Sequence, residues 1–77
     1  MITVLLFAHL QEQFGGEKII VNETELTVRE LKDRLKTEYN WNDSQRVMTA
    51  INEEYATDED IIKTGDTVAL IPPVSGG

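Results

Sequence analysis

Apolar residues in this chain cluster at its two ends and fall at helical spacing in between. Near the start, "ITVLLF" is rich in β-branched and large apolar side chains, which predicts a strand over residues 2–7. Near the end, "TVALI" predicts another. A strand with one wet face alternates apolar and polar residues, yet "VLLF" and "VALI" are apolar at every position, so both strands are expected to be covered on both faces.

Between them, "AHLQEQFGG" reads as a short helical turn stopped by Gly15 and Gly16. "EKIIV", residues 17–21, resumes as a strand close enough to the first to pair with it antiparallel, and "NETE" is a polar turn. The clearest element follows in "LTVRELKDRLKTEY". Thr27 and Glu30 have the T-x-x-E spacing of a capping box, and Leu26 and Leu31 flank it as a hydrophobic staple. Val28, Leu31, Leu35 and Tyr39 share one helical face, with Arg29, Lys32, Asp33, Lys36 and Thr37 opposite, which describes an amphipathic helix lying on a sheet.

"NWNDSQR" reads as a loop with an irregular turn, "VMTAI" as a third strand, and "NEEYAT" as a turn into a short fourth. "DEDIIKTGD" is expected to be a polar connection, with Gly65 and Asp66 supplying turn chemistry, before "TVALI" closes the sheet. One long helix must then cover one face of a small sheet while the two chain ends share its middle. The fold class is α+β, a β-grasp with a mixed five-stranded sheet and one main helix on one face.

The period of two along a strand carries this further. If Val4, Leu6, Val68 and Leu70 face the helix, then Leu5, Phe7, Ala69 and Ile71 face away from it. Either loops shade these outer side chains, or they form a protein-docking patch, since contiguous exposed apolar surface marks interfaces. Phe7 is the expected anchor and Tyr55, on the short strand, a weaker member.

Length and composition narrow the chemistry. At 77 residues the chain fits one domain. Without cysteine it has no disulfide, thiolate nucleophile or thiolate metal site, and His9 is its only histidine. Fourteen acidic against seven basic residues give a net charge of −7, which disfavours nucleic acid and anionic lipid and favours a basic partner. "MITVLLFAHL" lacks the basic start and small-residue cleavage site of a signal peptide and is too short to span a bilayer, so a cytoplasmic protein is expected. The acidic clusters at Asp58–Asp60 and Asn52–Glu54 lack the spacing of a calcium loop and read as solvated turns, so no metal site is expected. Trp41 reads as a partly buried lid beside the helix end.

The end of the chain, "PPVSGG", has its own logic. Pro72 and Pro73 terminate the last strand and favour an extended exit, which divides the chain into a domain over residues 1–71 and a tail over residues 72–77. The four residues after Pro73 reach about 13 Å when extended. Gly76 and Gly77, lacking a Cβ, can thread a channel too narrow for any other residue.

With "VLLFAHLQE", "TVRELKDRL", "INEEYA" and "GDTVALIPPVSGG" in place, the whole chain resembles the small subunits of molybdopterin synthase, the ubiquitin-like sulfur carriers of the MoaD family. The resemblance implies a carrier whose own terminus reacts. Gly77 would be adenylated by a partner that consumes ATP, converted to a thiocarboxylate, and made to deliver sulfur to a cyclic pyranopterin monophosphate, forming the dithiolene. Pro73, Val74, Ser75 and Gly76 would insert into the partner, with Phe7, Tyr55 and Ile71 at the interface. It also implies two partners, a large synthase subunit (MoaE-like) and an adenylating sulfurtransferase (MoeB-like), and a heterotetramer of two small and two large subunits. No cofactor is expected on this chain, and catalytic residues belong to the large subunit. The alternatives are a sulfur carrier for thiamine thiazole synthesis, a ubiquitin-like conjugated modifier, and an interaction module with an idle tail.

Overall fold

The two apolar runs at either end of the chain meet in the middle of one sheet. The computed structural model describes residues 1–42 and 44–73. In chain order its elements are β1 (Ile2–Leu6), α1 (Leu10–Phe14), β2 (Lys18–Val21), β3 (Glu25–Thr27), α2 (Val28–Tyr39), a 3-10 turn (Ser44–Arg46), β4 (Met48–Ile51), β5 (Glu54–Ala56), β6 (Ile61–Lys63) and β7 (Thr67–Ile71). β1 and β7 pair in parallel, with Val4 opposite Val68 and Leu6 opposite Leu70. β2 lies antiparallel on the outer side of β1, and β4 then β5 lie antiparallel beyond β7, giving the order β2-β1-β7-β4-β5. This is the mixed five-stranded sheet of a β-grasp.

Parallel neighbours cannot be joined by a tight turn. All of the chain between β1 and β7 serves as the crossover, and α2 is its main part. The capping box forms as the spacing predicts: Glu30 N–H donates to Thr27 Oγ1 at 3.1 Å, and Thr27 N–H donates to Glu30 Oε1 at 2.8 Å. Two orphan donors are satisfied at once. The helix stops at Asn40, whose φ of 56° is left-handed and whose N–H closes on the Lys36 carbonyl. α1 stops the same way at Gly15, φ 80°, a conformation glycine adopts without steric penalty.

Val4, Leu6, Val68 and Leu70 of the sheet and Val28, Leu31 and Leu35 of α2 are all buried in one cluster. Each such side chain contributes about 1.5–3 kcal/mol when fully buried, so this inner face carries most of the stability. Opposite the buried stripe, the polar face is held by charge pairs: Lys32 Nζ sits 2.9 Å from Asp58 and Arg29 2.9 Å from Glu59. Two acidic residues of the "DED" stretch are therefore engaged with α2, and Asp60 accepts the Thr57 N–H at 2.8 Å.

Three expectations need correction. "DEDIIKTGD" is not simply a polar connection, because it contains β6, which pairs antiparallel with β3 in a separate two-stranded sheet; "NETE" likewise runs into β3. Each strand is three residues long with one inward side chain, Leu26 or Ile62, and these two lie opposite each other in the core. An alternation so short has no period to read. Trp41 is not a partly buried lid: it is 3% exposed, edge-on to Phe14 with ring centroids 5.3 Å apart, and Phe14 also meets Tyr39 edge-on at 4.8 Å. The aromatic contact that ties α1 to the end of α2 recruits it. Among the described residues no helix is long and apolar enough to cross a membrane.

Replacing Thr27 by alanine removes one half of the capping box, and urea unfolding should show a loss of about 1 kcal/mol with an unchanged denaturant slope. An unchanged midpoint would mean that the box does not hold the helix.

Candidate functional site

The face of the sheet turned away from α2 is built by the same register that builds the core. Cross-strand partners point to the same side. On this outer side Lys18, Leu5, Ala69, Ala50 and Tyr55 therefore form one row across all five strands. The row next to it, at the end of β7, holds Ile71 opposite Met48, with Phe7 immediately beyond β1. Small side chains occupy the middle and large ones the margins. Phe7 is 44% exposed, Met48 52% and Tyr55 73%, while Leu5, Ala69 and Ile71 are half-buried.

The alternation predicted for β1 and β7 is thus present: of the four outer apolar residues Phe7 is exposed, and Leu5, Ala69 and Ile71 are half-buried. Phe7 and Ile71 lie at one end of this face beside the point where the chain leaves the sheet; Tyr55 lies on the edge strand. Pro72 is buried and Pro73 exposed. Val74, Ser75, Gly76 and Gly77, four of the predicted tail residues, lie outside the described residues. Met48 and Ala50 complete the face and were not singled out from the sequence. The signal that finds them is the β4–β7 register, which sets Met48 against Ile71 and Ala50 against Ala69.

Leu5, Phe7, Ala69, Thr67, Asn52 and Glu53 line an open depression of about 480 Å³ on this face. Its polar border comes from the two-residue loop between β4 and β5. Asn52 and Glu53 both have positive φ, 49° and 72°, the requirement of a tight hairpin loop whose twist matches the strands. Asparagine tolerates this conformation, but glutamate is strained there by roughly 1 kcal/mol. The loop is tied down firmly. Asn52 N–H donates to the Thr67 carbonyl at 2.8 Å, Thr67 N–H donates to Asn52 Oδ1 at 3.0 Å, and Asn52 Nδ2 donates to Asp66 Oδ1 at 3.0 Å.

Asp66 completes the link by accepting the Lys63 N–H at 2.9 Å. That bond first, and the Asn52 amide second, hold its carboxyl below the ordinary aspartate range. The linkage favours the folded state above the unfolded pKa and is lost as pH falls through the lowered one. At neutral pH the hairpin is therefore fixed against the start of β7, and with it the border of the depression.

What this arrangement offers is a partly exposed apolar surface beside the end of β7. Among the described residues no three His, Asp or Glu side chains come together as metal ligands. His9, the single histidine, is exposed at the start of α1 and makes no side-chain cap.

Comparison with known proteins follows the same outline. Residues 4–77 match the ThiS family. The molybdopterin synthase sulfur carrier subunit of Arabidopsis thaliana is 37% identical over 79 residues, covering 99% of this chain and 82% of the plant protein. That of Dictyostelium discoideum is 39% identical over 80 residues, covering 96% and 93%. Among solved structures, SAMP1 from Haloferax volcanii superposes with a TM-score of 0.79 at 28% identity, over 99% of this chain and 98% of that one. The chain belongs to the ThiS family, and within it aligns almost end to end with sulfur carrier subunits of molybdopterin synthase.

Proposed function

We propose that this chain is the sulfur carrier subunit of a molybdopterin synthase. The observation that carries the reading is the near full-length match to relatives of that name. The outer apolar face, lying beside the end of β7, supports it.

A carboxylate is a poor electrophile, so the Gly77 carboxyl must first be converted, at the expense of ATP on an adenylating partner, to an acyl-adenylate. A persulfide sulfur displaces AMP from this mixed anhydride, and thiol cleavage of the resulting acyl disulfide leaves the thiocarboxylate. That group is anionic at neutral pH and a soft nucleophile, and unlike a hydroxyl or amine it needs no activating base. The carrier then docks on the large synthase subunit, with Phe7, Tyr55 and Ile71 at the interface. Residues Pro73 to Gly76 carry the sulfur to the pyranopterin precursor. Positioning and electrostatic stabilisation come from the partner's pocket.

The carrier meets two partners in turn, so its docking face has to release as well as bind. A modest patch with a few exposed anchors suits this better than a large apolar interface. The net charge of −7 steers it toward a basic partner surface. A two-plus-two assembly with the large subunit belongs to this same proposal.

Intact mass spectrometry after incubation with ATP, the adenylating enzyme and a sulfur source tests the reading. The expected result is a mass gain equal to replacement of one oxygen by sulfur, abolished when Gly77 is deleted. A chain that keeps its original mass, or gains sulfur without Gly77, contradicts it.

A further inference from the structure

The depression on the outer face is not purely apolar. Leu5, Ala69 and the exposed Phe7 ring supply its apolar surface, and Asn52, Glu53 and Thr67 its border. Both ends of the Asn52 amide are engaged, one by the Thr67 N–H and the other by Asp66. Glu53 is different. Among the described residues its carboxylate takes part in none of the ion pairs, all four of which involve Arg29, Lys32 or Arg34 of α2. Among the described residues no ion pair neutralises this anionic acceptor at the border of the hollow, and Lys18, beside Leu5 in the outer row, is not part of the lining.

The backbone adds a second indication. Glu53 stands at φ 72° in a tight hairpin loop, where glycine is the favoured residue. Strained residues held by their surroundings concentrate at binding sites, and here the Asn52 ties to Thr67 and Asp66 do the holding.

We infer that the depression receives an arginine side chain of the partner subunit, its methylene stem against Leu5 and Ala69 and its guanidinium between the Phe7 ring and the Glu53 carboxylate. Arginine matches each part of the lining. Its stem packs on apolar surface while the head keeps a polar partner. Its flat, weakly hydrated head stacks on an aromatic face and donates in pairs to a carboxylate, which lysine does poorly. The excess of acidic residues on this chain favours approach of such a side chain. The inference rests on the reading that a partner subunit docks on this face, and it names the chemistry by which that partner is recognised.

Titration calorimetry of the full-length carrier against the large synthase subunit, at low and high salt, separates the two. Glu53→Gln should weaken binding about tenfold or more and flatten its salt dependence. Glu54→Gln, an equal charge change on β5 outside the depression, should change binding less than about twofold. Glu53→Gly serves as the control for folding: relief of the positive φ should raise its melting temperature, yet it should lose affinity as Glu53→Gln does. Equal effects of Glu53→Gln and Glu54→Gln overturn the arginine inference. If Phe7→Ala still weakens binding strongly in that case, docking on this face stands without the arginine. If Phe7→Ala is also without effect, the docking reading falls with it.

Discussion

The parallel pairing of β1 with β7 is the constraint on which the rest depends. It puts both ends of the domain in the middle of one sheet and fixes which residues of each strand share a face. Val4 beside Val68 and Leu6 beside Leu70 then meet α2, so that Leu5 beside Ala69 must face the other way. The core and the outer apolar face are two consequences of one register. A slip of one residue would exchange them, placing Phe7 toward the helix and Leu6 in water.

This coupling separates the two tasks of a small carrier. The inner face holds the largest fully buried side chains, whereas the outer face has alanines at its centre and exposed anchors at its margin, so contact residues can vary with little loss of core packing. Lys32, Arg29 and Arg34 are paired with acidic neighbours around α2, and Glu53 is left to the outer side. Among the described residues the ion pairs therefore gather around the helix. The chemistry proposed for the chain needs no catalytic side chain within the domain, because the reacting group is its own terminal carboxyl and the domain delivers it.

Much of this was legible in the sequence wherever a period repeats. The twelve residues of α2 give three turns of pattern with a capping signal at the start, and the doubly apolar runs of β1 and β7 announce central strands. The outer placement of Phe7 and Ile71 followed from alternation alone. β3 and β6 were not legible, because three residues with one buried side chain give no period; only tertiary pairing of Leu26 with Ile62 defines them. Trp41 was misjudged because its burial depends on Phe14, which is distant in sequence. Met48 and Ala50 were missed for a related reason: a strand's faces are known from its pattern, but its neighbours only from the register. Glu53 has no sequence signal, since its interest lies in a backbone angle.

The central claim is that the terminal carboxyl of the tail carries the sulfur while the domain only brings it to the partner. It is tested most directly by adding one alanine after Gly77, confirming by mass that the extension is retained in cells, and measuring molybdenum cofactor in a strain that depends on this chain. The account predicts an intact fold, undiminished binding by the outer face, and no cofactor. Normal cofactor levels with the extension in place would contradict it.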